Sequence, residues 1–436
     1  MLSVAFSVSA LLVVLWMLLM AGGITDLALL VYGAAEARRW RRVAIPDAEK
    51  IEMLKSPMVP AVSVLAVPPD ASPASLARIQ RLLKLHSGNA TVVVLLDGAS
   101  DFDLALWKDE FHLEPSSRTG GGHLKTRRVN GVYSSVDPIA LIVVDKEAGG
   151  ESDCLNAGVN FSEAPVIATV DLEAQISDEA LLLLIEPMIA DPDRTNAVCA
   201  DAPFEGAPGL AGHLCGLEIQ RNWLKRCALS RWGAVVPAPG AIRLFNRDAV
   251  IRAGGFTCGA GEMLVRLQQR SGAARSRSRV CYMPISVSRL NAPRNLDEAR
   301  ALLARDRSES RSALRRHKGL FPGLRNLGWA AIRELLRKLY LDPLAETAVL
   351  VVAAAASVTG FVEPALAGLF LATALALKIL VSMTGVLLAE SAAASSAGPG
   401  DLLQTFFATV PENLGYRQWR NLWAVRNCFI AGRRSF

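Results

Sequence analysis

Hydrophobic and polar positions follow two different patterns along this chain. Long apolar runs lie at about residues 10–35, 344–361 and 365–388, and each is long enough to cross the hydrocarbon core of a bilayer. Between about residues 47 and 320 the apolar runs are short, and strand-like segments alternate with helical ones. We therefore predict a globular α/β region between membrane-spanning helices.

The first apolar run is followed by the basic segment EARRWRRVA. Basic residues beside a span favour the cytoplasmic side, so we predict an N-terminal anchor over residues 1–42 whose carboxyl end lies in the cytoplasm. A cleaved signal peptide is the competing interpretation. The chain has no basic segment before the apolar run and no clear small-residue cleavage site before the arginines, which favours the anchor.

The last two apolar runs are separated only by VEP, which suits the turn of a transmembrane hairpin over residues 344–390. Just before it, WAAIRELLRKLYLDPL has apolar residues on one helical face and basic residues near the other. This pattern predicts an amphipathic helix in the membrane interface, over residues 321–343. Lys378 falls inside the last span, where a charge is costly, so it either faces another helix or extends to the membrane surface.

The middle region contains the strand-like runs AVSVLAV, ATVVVLLD, PIALIVVD and PVIATVD, with helical segments between them. This alternation predicts a mostly parallel, Rossmann-like sheet with helices on both faces. Such sheets bind ligands at the carboxyl ends of their strands, where Asp97, Asp145 and Asp171 occur. An ordinary acidic turn is the alternative for each one alone, since Asp favours turns and helix starts.

Composition and charge narrow the classes of partner. The chain is 51% hydrophobic with a formal net charge of +6, and many of its basic residues flank apolar segments. This distribution favours contact with membrane lipids and argues against nucleic acid as a partner. The seven cysteines contain no CxxC pair, so the sequence suggests neither a zinc site nor a disulfide framework.

Three long segments occur along the chain in the order VVDKEAGGESDCLNAGVNFSEAPVIATVDLEAQISDEAL, GAIRLFNRDAVIRAGGF and PGDLLQTFFATVPENLGYRQWRNLW. In this order they resemble the membrane-bound family 2 glycosyltransferases, which include cellulose, chitin, hyaluronan and poly-N-acetylglucosamine synthases. The resemblance implies a cytoplasmic GT-A domain over residues 47–320 and a cytoplasmic tail helix over residues 399–436. It also implies a multi-pass protein of the inner, or plasma, membrane.

On the donor side, the resemblance places Asp97 and Asp153 at the aspartates that contact the nucleotide. Asp171 and Glu173 then stand at the DxD element, which would hold Mg²⁺ or Mn²⁺. The second position departs from the family, because the longer Glu side chain displaces a carboxylate and Mg²⁺ tolerates displaced ligands poorly. Glu151 replaces the lysine that usually precedes the helix aspartate, here Asp153.

The acceptor side departs further from the family. In TCGAGEMLVRL, Gly261 stands where the family has the catalytic Asp of its TxGED element. The adjacent Glu262 is the candidate general base, which would take a proton from the acceptor hydroxyl. The alternative is a glutamate in the first turn of a helix, where the helix dipole favours a negative charge.

The QxxRW element of the family is also altered, since it corresponds here to ARDRS. Ala304 replaces the Gln, and Ser308 replaces the Trp that would stack on a sugar ring. Arg305 and Arg307 are candidates to contact the pyrophosphate. Alternatively, they belong to an ordinary solvated helix face.

Two hypotheses follow from the retained and altered motifs. In the first, the protein transfers a sugar from a nucleotide-sugar donor to a glycan or lipid acceptor. In the second, it is a catalytically inactive, glycosyltransferase-like subunit that scaffolds or regulates an active synthase. Departures at several independent positions favour the second hypothesis, whereas the overall resemblance favours the first. A transporter is disfavoured because three spans leave little room for a pathway.

Overall fold

The structure is a computed structural model. It describes residues 2–43, 52, 56, 58–84, 89–135, 141–200, 204–205, 209–232, 234–236, 242–273, 279–285, 287–316, 328–393 and 399–433.

The described strands are β1 (Val62–Ala66), β2 (Ala90–Asp97), β3 (Leu113–Pro115), β4 (Val129–Ser135), β5 (Leu141–Lys146), β6 (Val166–Thr169), β7 (Gln175–Ile176), β8 (Thr195–Ala200), β9 (Phe204–Glu205), β10 (Ile242–Asn246), β11 (Arg279–Met283) and β12 (Ser288–Asn291).

The described α-helices are α1 (Leu2–Val43), α2 (Pro73–Leu83), α3 (Asp101–Glu110), α4 (Glu151–Phe161), α5 (Ala180–Ala190), α6 (Gly209–Ser230), α7 (Arg247–Arg252), α8 (Ala260–Ala273), α9 (Leu296–Arg316), α10 (Gly328–Leu336), α11 (Asp342–Val358), α12 (Pro364–Ala393), α13 (Pro399–Pro411) and α14 (Arg417–Arg433). Two π-helical segments, Arg337–Leu341 and Glu412–Tyr416, join α10 to α11 and α13 to α14.

The main sheet of the described residues has nine strands in the order β11, β8, β10, β6, β1, β2, β5, β4, β3. Strands β6, β1, β2 and β5 run parallel at its centre. The flanks differ from the predicted mostly parallel sheet, because β10 and β4 are antiparallel to their neighbours. The carboxyl ends of β1, β2 and β6 therefore meet at one edge of the sheet.

Alternate residues of the central strands enter two separate cores. Val93 and Leu95 pack with residues of α4 and α8 on one face, whereas Val92 and Val94 pack with residues of α2, α3 and α5 on the other. Successive strand side chains point to opposite faces of a sheet, so an almost continuous apolar run fills both cores. This confirms the predicted helices on both faces.

Three described helices are long and apolar enough to cross a membrane, as the hydrophobic pattern predicts. They extend over Phe6–Trp40, Ile332–Val358 and Pro364–Ala392. Helix α1 also packs against α6 of the α/β region, and a β-carbon at Gly33 would lie 1.9 Å from the carbonyl oxygen of Leu224. Gly33 therefore permits a close helix-to-helix approach.

The predicted interfacial helix and the first helix of the hairpin form one structural unit. Residues 321–327 lie outside the described residues, and from Gly328 helical structure continues without a break to Val358. The sequence-based boundary at residues 343 and 344 therefore falls inside a helix. Pro343 has no backbone N–H to donate, which agrees with the π-helical turn just before it.

Two charged side chains inside the apolar helices, Lys378 and Asp26, are paired. The Nζ atom of Lys378 lies 2.8 Å from Oε1 of Glu346 in α11, so Lys378 faces another helix, one of its two predicted placements. In α1, Asp26 lies 2.9 Å from Nζ of Lys225 and 2.5 Å from a guanidinium nitrogen of Arg337. Pairing of this kind is the usual way in which ionisable groups are accommodated at such positions.

Candidate active site

A cavity of about 850 Å³ opens at the carboxyl ends of β1, β2 and β6. We call it the strand-end cavity, and its volume lies within the range typical of small-molecule sites. Among the sequence-predicted residues, four line it: Asp97, Asp171, Glu173 and Arg305. The other predicted site residues, Asp153, Glu262 and Arg307, are not part of this lining.

Asp97 is held by a buried lysine that the sequence analysis missed. Lys146, at the end of β5, is the register partner of Asp97, and its Nζ atom lies 2.8 Å from Oδ1 of Asp97. The same Nζ atom lies 2.7 Å from Oδ2 of Asp153 and donates to the carbonyl oxygen of Glu147 at 2.6 Å. One cation thus neutralises both predicted nucleotide-contacting carboxylates.

The backbone completes the environment of Asp97. Its two carboxylate oxygens accept hydrogen bonds from the N–H groups of Gly149 and Gly150, each at 2.8 Å. Gly150 has a φ of 84°, a left-handed conformation that glycine adopts without strain. Burial alone would raise the pKa of Asp97, but the hydrogen bonds from Lys146 and the two amides lower it to about 2. Asp97 is therefore a fixed anion.

The pleat of the sheet decides which acidic strand ends reach the cavity. Asp145 pairs with Leu96, and Lys146 pairs with Asp97, so Asp145 and Lys146 face opposite sides of the sheet. Asp145 is buried and does not belong to the cavity lining, unlike Asp97 and Asp171. The sequence shows Lys146 directly after Asp145, but only the strand register shows that Lys146 lies beside Asp97.

Asp171 and Glu173 come together under an arginine. Guanidinium nitrogens of Arg305 lie 3.3 Å from Oδ2 of Asp171 and 3.3 Å from Oε2 of Glu173. The other oxygen of Asp171, Oδ1, accepts the backbone N–H of Glu173 at 3.0 Å. Arg305 belongs to α9, which brings it to the strand end from 132 residues farther along the chain than Glu173.

This arrangement does not fit a divalent cation as it stands. Mg²⁺ requires near-octahedral oxygen ligands, but both oxygens of Asp171 are engaged and Glu173 is paired with a resident cation. Within the described ranges, no group of three or more His, Cys, Asp or Glu side chains is placed to hold a metal ion. The metal predicted at Asp171 and Glu173 stays a prediction.

Glu262 lies in the first turn of α8, and its side chain is only 1% exposed. Its carboxylate accepts hydrogen bonds from Nε of Arg266 at 3.0 Å and from the hydroxyl of Thr257 at 2.9 Å. These contacts describe a structural ion pair at a helix start. The role of Glu262 as a base stays a prediction, and its geometry places the carboxylate away from the strand-end cavity.

Arg307 is also turned away from the cavity. It is buried, and its guanidinium carbon lies 5.8 Å from the ring centre of Trp423 in the tail helix α14. This is a favourable cation–π distance. The pyrophosphate role predicted for Arg307 stays a prediction, whereas Arg305 of the same helix does line the cavity.

Glu151 is a further carboxylate of the cavity. From the sequence it stands only where the resembling family has a lysine. It begins α4 and lines the cavity with Arg243, Arg305 and Glu309. Within the part of the chain that the structure describes, its carboxylate has no hydrogen bond or ion pair. The Glu151 side chain is exposed at the cavity. Partial desolvation there, and then the negative charge of Glu309, raise its pKa above the ordinary value of 4.5, although Arg305 and Arg243 act in the opposite direction. A raised pKa makes a carboxylate a stronger base.

Comparison with known proteins identifies the fold. A mannosyltransferase from Pyrobaculum calidifontis, solved in complex with GDP-Man and Mn²⁺, matches with a TM-score of 0.57 and 17% sequence identity. The match covers 93% of this chain and 99% of that one. The chain has the GT-A glycosyltransferase fold. At this identity the likeness establishes the fold alone, so the resemblance to the family 2 synthases stays a prediction.

Other comparisons add little to the GT-A assignment. A glucosyl-3-phosphoglycerate synthase from Mycobacterium tuberculosis, in complex with Mn²⁺, UDP and phosphoglyceric acid, has a TM-score of only 0.36 at 13% identity. That match covers 60% of this chain and 81% of the other, and its score is too low to support an argument. No protein-family model and no curated protein sequence matches the chain.

Proposed function

We propose that this chain is a membrane-bound glycosyltransferase that takes a sugar from a nucleotide-sugar donor bound in the strand-end cavity. The observation that carries this proposal is the cavity itself, which lies at the carboxyl ends of parallel strands and is lined by Asp97. Open α/β sheets bind ligands at this edge. A glycan or a lipid hydroxyl is the proposed acceptor.

Glu151 is our proposed general base for the transfer. As the acceptor oxygen attacks the anomeric carbon, its proton would pass to the carboxylate of Glu151, and the bond from the sugar to the diphosphate would break. The raised pKa of Glu151 and its place in the cavity lining support this role. The sequence-predicted base, Glu262, would first have to leave Arg266 and Thr257.

The ion pair of Glu262 with Arg266 also favours the second candidate function, an inactive partner of an active synthase in the same membrane. In that case the position next to the missing TxGED aspartate has a structural role only. Sugar transfer by the purified chain separates the two functions. An inactive partner would show none with any donor, and Glu262→Gln would leave a co-expressed synthase unaffected.

Nucleotide binding tests the proposal directly. We expect the purified protein to bind UDP or GDP in isothermal titration calorimetry, and we expect Asp97→Asn to weaken binding at least tenfold, or by about 1.4 kcal/mol. Asp153→Asn is the matched variant, because it removes the other carboxylate of Lys146. We expect a smaller loss from it, since Asp153 does not line the cavity. Equal losses of affinity in the two variants would indicate that Asp153 also contacts the nucleotide. Absence of nucleotide binding by the wild type would contradict the proposal.

We also propose that the strand-end cavity faces the cytoplasm, with the three apolar helices crossing the inner, or plasma, membrane. The basic segment after the first apolar run supports this orientation. Reporter fusions test it: fusions at Gly206 and Phe436 should report the same, cytoplasmic side, and a fusion at Met1 the opposite side. Opposite locations for the first two would contradict three spans.

A further inference from the structure

We propose that the guanidinium of Arg305 takes the place of a divalent cation in this cavity, so that a nucleoside diphosphate binds here without metal. This inference rests on the proposed function and specifies how the site would hold its ligand. It departs from the metal that the sequence predicts at Asp171 and Glu173, because that pair already has a positive charge between its carboxylates.

The contacts of Arg305 are those of a bridging cation. Two of its nitrogens reach one oxygen each of Asp171 and Glu173, both at 3.3 Å. A guanidinium has five N–H donors in a rigid plane, so donors remain for phosphate oxygens after both carboxylates are engaged. Its side chain is 56% exposed, which leaves the positive group accessible from the cavity.

Neighbouring ion pairs fix the helix that carries Arg305. Asp306 lies 2.6 Å from Nζ of Lys338, and Glu309 lies 3.3 Å from a guanidinium nitrogen of Arg243 in β10. These contacts join α9 to the π-helical segment Arg337–Leu341 and to the main sheet. Arg305 is therefore presented to the strand end by a supported helix and not by a loop.

The charges of the cavity favour such a cation beside an anionic ligand. Its lining includes eight carboxylates but only three arginines, so a diphosphate would meet repulsion unless the carboxylates are paired. The structure pairs Asp97 with Lys146, Asp306 with Lys338 and Glu309 with Arg243. Arg305 likewise pairs with Asp171 and Glu173, the two carboxylates between which a metal ion would otherwise be required.

The test compares nucleotide binding with and without metal. Purified full-length protein is titrated with UDP and with GDP, once in EDTA and once in MnCl₂. For the wild type we expect affinities that differ by less than about threefold between the two conditions. For Arg305→Ala we expect at least a tenfold loss in EDTA and recovery in MnCl₂, since the freed carboxylates can then accept Mn²⁺.

A second measurement reports metal binding without nucleotide. Electron paramagnetic resonance of Mn²⁺ should show free ion with the wild type and a bound fraction with Arg305→Ala. Arg300→Ala is the control, since Arg300 is an exposed arginine of the same helix that pairs with Asp297 outside the cavity. It should match the wild type in both measurements.

Each contrary outcome points to a different error. Wild-type binding that appears only with MnCl₂ would overturn the role of Arg305 and leave the proposed function standing. Arg305→Ala that binds nucleotide in EDTA as well as the wild type does would also overturn it. Absence of UDP and GDP binding in both conditions would overturn the proposed function itself, and this inference with it.

Discussion

Replacing Glu151 by glutamine should slow sugar transfer by about a hundredfold or more while leaving nucleotide binding nearly unchanged. Glutamine keeps the size of the side chain but cannot accept the proton of the acceptor hydroxyl. The effect should therefore appear in kcat and not in the affinity for UDP or GDP. Steady-state transfer assays and calorimetry on the same preparation measure the two quantities.

The matched control is Glu262→Gln, which changes the sequence-predicted base in the same way. Glu262 is buried against Arg266, so we expect that variant to lose stability more than turnover per folded molecule. The reverse result, with transfer abolished by Glu262→Gln and kept by Glu151→Gln, would show that the sequence identified the base and that our geometric choice is wrong.

The pH profile gives an independent check on Glu151. A base must be deprotonated to act, so activity should fall as the pH drops through its pKa. Because partial desolvation and Glu309 raise that pKa above 4.5, the acidic limb of kcat/KM should lie above this value. Glu151→Gln should remove the limb from the residual activity, and a limb unchanged in this variant would assign it to another group.

Replacing Glu412 by alanine should destabilise the protein by about 3–5 kcal/mol, because it leaves a buried guanidinium without its counter-charge. Glu412 and Arg221 are both buried, and their contact joins the tail to α6, with Ser382 of α12 accepting a further bond from Arg221 at 2.7 Å. Thermal unfolding in detergent, followed by tryptophan fluorescence, measures the loss.

Two further variants show whether the stability loss of Glu412→Ala comes from the unpaired buried charge. Glu163→Ala removes one partner of an exposed ion pair with Arg118 and should change stability little. The double variant Arg221→Met with Glu412→Leu should be more stable than Glu412→Ala, because it removes both charges together. A double variant as unstable as the single one would show that the pair acts through shape and not through charge.

The direction of the pH dependence follows from the same pair. Burial alone would raise the pKa of Glu412, but Arg221 lowers it below its ordinary value. The stabilisation is therefore fully present above the unfolded-state pKa and is lost as the pH falls through the folded-state pKa. Acid should narrow the difference in stability between the wild type and Glu412→Ala.

The sequence by itself determined the features that depend on local pattern. The three apolar runs became the three helices Phe6–Trp40, Ile332–Val358 and Pro364–Ala392, because length and hydrophobicity suffice to specify such a helix. The alternation of strands and helices predicted the parallel centre of the sheet. It also placed Asp97 and Asp171 at the edge where the cavity opens, since parallel strands end on the same side.

Tertiary structure alone decided which charges meet. Strand register set Lys146 beside Asp97 and turned Asp145 away, and no local pattern contains that register. The packing of α9 brought Arg305 to Asp171 and Glu173 across 132 residues of sequence. Ion pairs of this kind depend on distances between side chains that the fold brings together, so the sequence could supply the candidate residues but not their partners.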